Sequence, residues 1–402
     1  MKGVALPLAI TLAVQALTSM AMIAPSVMAP VAAVELGVSA QGIGWFVALE
    51  YLFAMLSGLA CGALIARYGP VRVCQITVCL AAAGLAVGTG ALLPAVFAAA
   101  GLIGSGYGMV NPVSSHILAS AAPPRMMSLI FSIKQTGVPL GGALAGAVVP
   151  SLVLSLGWRW AAVGVALLCL VAALLIQPVR AVDAAAPRSR VSGSARDFFE
   201  PLGMVIADRT VLELAIVSMI FGSAQLALFA YFVTYLNLEL GFGLVAAGLI
   251  YSSAHAAGIA GRVLWGAVAD RWLSPRSMLG LLGLMMALSG VGVATLSADW
   301  PLPAVVLVSA LFGASAVGWN GVYLAEVARS APPGRVGAIT GGTQFFTFIG
   351  ALAAPPLFGL VAGLAGGYGK AYLAFCLLPA LAGLRLLSGA RTRAGRQECA
   401  KP

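Results

Sequence analysis

Three residues place ionisable chemistry where it is most costly. Glu50, Lys134 and Arg262 each lie inside a long apolar run, about eight residues from its end or roughly 12 Å at the helical rise. Such groups cost free energy in hydrocarbon unless they are hydrated or paired, so each is a functional candidate. Glu50 is a carboxyl able to take up and release a proton, which suits a coupling group; the other reading is a structural ion pair near the outer mouth of the molecule. Lys134 sits in FSIKQTGVPLGG, residues 131–142, of a chain with 18 arginines and 4 lysines. A lysine can give up its proton where an arginine keeps it. It is read either as a substrate or coupling charge or as a side chain whose stem lifts the ammonium to the inner interface. Arg262 follows Tyr251, His255 and Gly258 at the spacing i, i+4, i+7, i+11 of one helical stripe. A planar guanidinium there is either a two-point clamp for an oxyanion or a tie to a neighbour's carbonyls or to the loop of Asp270. His255 adds a proton relay or a packing residue to the same stripe, while His116 reads as packing.

The elements that hold these groups follow from composition. Of 402 residues 61% are hydrophobic and 8% charged, against roughly 25% charged in a soluble protein. Twelve apolar segments are long enough to cross a bilayer as helices: 6–33, 42–65, 73–94, 95–120, 126–153, 159–178, 211–236, 244–269, 277–297, 301–326, 337–363 and 370–388. The first is too long for a signal-peptide core and reads as span 1. With the N-terminus cytoplasmic, every one of the 22 basic residues except Arg159 and Lys370 falls on the cytoplasmic side or in the inner half of a helix. That asymmetry predicts a multi-pass cell-membrane protein, the inner membrane if bacterial, with both termini cytoplasmic. The formal charge of +10 is thus a topology signal, and a nucleic-acid partner is not expected. The six cysteines form no CxxC pair, so neither disulfides nor metal ligation are expected.

A polar, basic segment, 181–208, divides the spans six and six, between bundles 1–180 and 209–390 and ahead of a tail, 391–402. The halves repeat. Val34-Glu35-Leu36-Gly37 matches Leu238-Glu239-Leu240-Gly241, and Gly62-Ala63-Leu64-Ile65-Ala66-Arg67 matches Gly266-Ala267-Val268-Ala269-Asp270-Arg271, both at an offset of 204. Asn111, Pro123, Pro124 and Gln135 match Asn320, Pro332, Pro333 and Gln344 at 209. Lys134 has no counterpart, because Thr343 takes its place.

The loop sequences ending in Arg67 and Arg271, with twelve spans and the duplication, resemble the major facilitator superfamily over the whole chain. The resemblance implies an all-α polytopic membrane protein of twelve transmembrane helices in two pseudo-symmetric six-helix bundles. It also implies a secondary transporter, not an enzyme, working by alternating access without a cofactor, and we expect a monomer in the lipid bilayer. Ala66 departs from the family's usual aspartate, which weakens the lock expected in the first half. Arg67, Asp270, Arg271 and Glu326 are read as gating residues.

The family's fold places spans 1, 4, 7 and 10 around a cavity, flanked by 2, 5, 8 and 11. Gln15, Tyr107, Asn111, Gln135, Gln225, Tyr251, His255, Trp319, Asn320 and Gln344 are then expected, with Lys134 and Arg262, to contact substrate; each can instead bridge helices, as polar side chains do in bundles. An arginine in span 8 binds anions in the oxalate/formate and monocarboxylate branches, which Arg262 resembles in placement. Two cations from opposite halves favour a small organic or inorganic anion as substrate, moved with protons or against a counter-substrate and with Glu50 as the coupling group. The alternative is a proton-driven multidrug or metabolite exporter. Against it, Gly137-Val138-Pro139-Leu140-Gly141-Gly142 departs from the span 5 pattern of antiporter-type exporters. Gly104-Ser105-Gly106-Tyr107-Gly108, inside a span with no preceding strand, predicts close helix packing rather than a phosphate loop.

Overall fold

The computed structural model describes residues 2–90, 92–121, 130, 133–177, 195–332 and 336–398. The repeat match at Pro123, Pro124 and Pro333 lies outside these residues, as do Arg125, Arg180, Arg188, Arg190, Arg335 and Lys401. Among the described residues, twelve helices are long and apolar enough to cross a membrane. In the first half they are Lys2–Leu36, Ile43–Tyr68, Pro70–Gly88, Leu93–Ala121, Gly137–Leu156 and Trp158–Leu175. In the second they are Arg209–Thr234, Leu244–Arg271, Pro275–Ala294, the pair Leu302–Ala316 and Asn320–Ser330, Val336–Ala365 and Tyr368–Glu398. They are called spans 1 to 12.

Local chemistry sets several boundaries. Asp208 caps span 7 by accepting from the Thr210 and Val211 amides, and Ser274 with Pro275 behind it starts span 9. Gly37 and its repeat partner Gly241 take φ of +66° and +73°, a backbone only glycine adopts cheaply, and end spans 1 and 7. Three elements differ from expectation. Residues 195–207 of the polar segment form a helix, Ala195–Ala207, whose Val205 and Pro201 backbone lie against Gly342 of span 11. Span 12 continues as helix to Glu398, through most of the expected tail. Span 10 is interrupted at residues 317–319.

The chain forms two compact units. One comprises Met1–Gly193, Leu236–Leu238 and Phe242–Ser252, and the other Ser194–Tyr235, Glu239–Gly241 and Ser253–Pro402. Within each, small residues let helices cross at backbone contact. In the first unit Gly104 lies on the Glu50 carbonyl, Gly108 on that of Ala54 and Gly106 on that of Thr77, so a methyl group at any of them meets backbone. In the second, Gly313 lies on the Ala254 carbonyl and Gly258 against Val317. These crossings relate by the sequence offsets: Gly104 to Gly313 and Gly108 to Val317 by 209, Glu50 to Ala254 and Ala54 to Gly258 by 204. The repeat read in sequence is therefore the repeat of helix packing.

Candidate functional site

In the first unit, Lys134 stands at the start of span 5 and is 1% exposed. Its ammonium turns toward span 4, donating to Asn111 Oδ1 at 2.7 Å, with the Asn111 carbonyl at 3.4 Å and Ser115 Oγ at 3.5 Å. All of these partners are neutral, and no carboxylate among the described residues pairs with it. Asn111 itself is exposed, so it is the face through which this charge meets the surroundings. One turn earlier Tyr107 is edge-on to Tyr51, with ring centroids 6.1 Å apart and their hydroxyls hydrogen-bonded. Glu50 is fully buried beside Tyr51, and neither carboxyl oxygen has a hydrogen-bond partner among the described residues. Gln15 is also fully buried, packed on Gly137, with neither amide atom hydrogen-bonded among the described residues. Gln135 is half-buried on the next residue after Lys134. Tyr251 belongs to this unit and lies against Gly146 of span 5.

The second unit treats its polar residues differently. Span 10 breaks where Trp265 Nε1 takes the Ala314 carbonyl at 2.8 Å and Arg262 Nε takes the Val317 carbonyl at 3.0 Å. Those acceptors would otherwise serve the next helical turn, and a broken helix in a membrane needs such replacement donors. The stripe predicted on span 8 thus divides. Tyr251 lies with the first unit, His255 stacks on Phe229 at 4.7 Å, Gly258 packs on Val317 and Arg262 binds the break. Beside the break, Gln225 Oε1 accepts from Trp319 Nε1 at 3.1 Å and Asn320 Nδ2 at 3.4 Å. Thr347 Oγ1 donates to Ser218 Oγ at 2.9 Å, and Tyr323 is buried nearby, edge-on to Trp319 with ring centroids 5.2 Å apart. Gln344 is half-buried on span 11.

Of the residues read as gating, Arg67, Asp270 and Arg271 are exposed at helix ends, with Arg67 5.2 Å from the Tyr68 ring, and Glu326 is buried. The same end of the second unit holds a three-residue ion-pair cluster. Glu213 binds buried Arg276 and, at 3.1 Å, Arg385. Glu213 belongs to no motif and was not among the residues expected from sequence; its signal is its place as an acid inside span 7 of a chain with 12 acids. At the opposite end two repeat-related acids each hold the start of a helix. Glu35 binds the Trp158 and Arg159 side chains of span 6, while Glu239 accepts from the Tyr368 and Gly369 amides of span 12 at 2.5 and 3.2 Å.

The described residues contain no cluster of His, Cys, Asp or Glu suited to a metal ion. No functionally curated protein matches the chain. A family model described as Major Facilitator Superfamily matches residues 11–355. Among solved structures, the chain is similar to a bacterial homolog of the human lysosomal transporter Spinster, at 16% identity and TM-score 0.72, covering 96% of this chain and 94% of that one. It is similar to the nucleoside transporter NupG at 14% identity and TM-score 0.77, over 94% and 99% of the two chains. A POT family transporter in complex with 5-aminolevulinic acid aligns at 14% identity and TM-score 0.70, over 95% of each. At such identities the likeness establishes the fold, and the family match establishes membership: the chain belongs to the major facilitator superfamily, a multi-pass membrane transporter and not an enzyme.

Proposed function

We propose that the protein is a secondary active transporter of a small anion, organic or inorganic, with Lys134 as the charge that recognises it. One observation carries this reading: a buried ammonium whose partners are all neutral, covered by an exposed asparagine. A buried cation without a counter-ion is unfavourable in a bilayer, and an anionic ligand is the missing partner. Asn111 supplies a second contact from span 4. Glu50, buried and without a hydrogen-bond partner, is the proton-coupling group of the same unit, so that anion and proton act on one bundle.

Arg262 takes the second of its two sequence readings. Its Nε is committed to the Val317 carbonyl, so it fixes the break beside which Gln225, Trp319 and Asn320 form a polar cluster within the second unit. The glycines of span 5 that bear on the exporter alternative are packed, Gly137 on Gln15 and Gly141 against Ser19 and Met20 of span 1, which suits a structural role for that motif.

The test is a thermal-shift screen of the purified protein against small carboxylates, inorganic anions and cationic drugs. Saturable stabilisation by an anion, lost in Lys134→Gln, is the expected result. Stabilisation by cationic compounds alone would favour the exporter and defeat the anion reading.

A further inference from the structure

The first unit contains a cavity of about 140 Å³ at the end away from Arg67, which the transport reading leaves unused. Spans 1, 2, 3, 4 and 6 wall it with side chains that are almost wholly apolar, and Val38, Ser39 and Gly42 are exposed residues of its lining. The repeat shows what fills the corresponding volume in the other unit.

The register for spans 1 and 7 comes from a glycine crossing. Gly141 lies on the Ala16 carbonyl in the first unit and Gly350 on that of Met219 in the second, which sets an offset of 203. Carried toward the cavity, it pairs Met28 with Tyr231, Ala29 with Phe232 and Ala32 with Tyr235. A π turn at Tyr235–Glu239 then inserts one residue, which accounts for the offset of 204 at Glu35 and Glu239. Spans 4 and 10, at 209, pair Ile103 with Phe312. The helix starts Trp158 and Tyr368 pair Ala162 with Tyr372.

In the second unit these five positions carry rings. Tyr372 lies 6.2 Å from Phe232, 5.6 Å from Tyr235 and 6.0 Å from Phe312, centroid to centroid. The hydroxyls of Tyr231, Tyr235 and Tyr372 are satisfied by carbonyls of Pro355, Val293 and Ala227. In the first unit the same positions are methionine, isoleucine and three alanines, and all five line the cavity. Trp158, the counterpart of Tyr368, and Phe46 are the aromatic side chains that line it.

We propose that this cavity binds a small uncharged aromatic molecule of one ring, which takes the place that aromatic side chains occupy in the repeat. The volume is close to the ~150 Å³ of an apolar cavity that takes up benzene. The apolar walls disfavour a charged ligand, and Trp158 offers a ring for offset or edge-on contact. This site lies within one unit and does not depend on the nature of the transported solute.

The probe is fluorobenzene, titrated into the detergent-purified full chain and followed by its ¹⁹F resonance. A saturable shift is expected in the parent protein. Ala162→Tyr and Ala29→Phe, which install the second unit's residues, should each weaken it by at least about tenfold while preserving a cooperative melt. Ile103→Phe serves in place of either variant that fails to fold. The proposal is overturned if the parent shows no saturation, if the folded filling variants bind as well as the parent, or if decane but no aromatic compound competes at the site.

Discussion

The two units carry the same helix crossings and opposite treatments of charge. At the crossing of spans 2 and 4 the first unit has Glu50 where the second has Ala254, and on span 5 it has Lys134 where span 11 has Thr343. The second unit has Arg262, which donates to the Val317 carbonyl, where the first has Gly58, which packs beside the equivalent carbonyl of Gly108. Arg262 is thus absorbed into the scaffold by a helix break, and Glu213 is absorbed by Arg276 and Arg385. Among the described residues, nothing ionic absorbs Lys134 or Glu50. A duplicated scaffold reaches a stable bundle without them, so their presence in one copy points to work on a ligand and a proton.

The strongest way to break this contrast is at Lys134. On the proposed reading Lys134→Gln removes the counter-charge of an anionic substrate, and transport is expected to fall by roughly 30- to 1000-fold, the equivalent of about 2–4 kcal/mol for a desolvated charge pair, with the protein still folded and in the membrane. Glu213→Ala does the reverse. It leaves Arg276 buried without a carboxylate and should cost about 3 kcal/mol of stability, seen as a lowered melting temperature, with anion affinity in the surviving protein unchanged. Glu50→Gln should leave substrate exchange intact while abolishing the response of flux to an imposed pH gradient in proteoliposomes; an unchanged response removes Glu50 from coupling. Arg262→Ala loses a charged donor at the break of span 10, worth roughly 1.5–3 kcal/mol, and should lower stability in proportion. If it abolishes anion binding without touching stability, Arg262 is a clamp and the contrast between units fails. The smallest effect belongs to the two helix-start acids. Glu35 is nearly half-exposed, so Glu35→Gln should leave the melting temperature almost unchanged, whereas Glu239→Gln weakens a cap on two amides and should cost about 1 kcal/mol; equal melting temperatures would erase that distinction.

Much of the scaffold was legible in the residues themselves. Apolar length announced the spans, the recurrence of Asn111 as Asn320 and Gln135 as Gln344 announced the duplication, and the lone lysine beside a repeated glutamine marked the asymmetric position. The break in span 10 was hidden because Gly318 is one of many glycines, and its cause lies in span 8, where Trp265 and Arg262 supply donors that no local pattern of span 10 reveals. The helix 195–207 was hidden by a basic, serine-containing stretch just before it. Arg262 and His255 shared a stripe in sequence, but a stripe does not say whether it faces an opening or a neighbouring helix, and here it meets Phe229 and Val317. The aromatic fill of one unit became readable against the cavity of the other only once glycine contacts fixed the register.

The most direct test of the central claim is uptake by proteoliposomes containing the purified protein, loaded with an anion that stabilises it and compared with Lys134→Gln and Lys134→Arg at matched protein content. The expected result is counterflow of the anion in the parent, none above empty liposomes in Lys134→Gln, and partial recovery in Lys134→Arg, which restores the positive charge. Counterflow of equal rate in Lys134→Gln would contradict it.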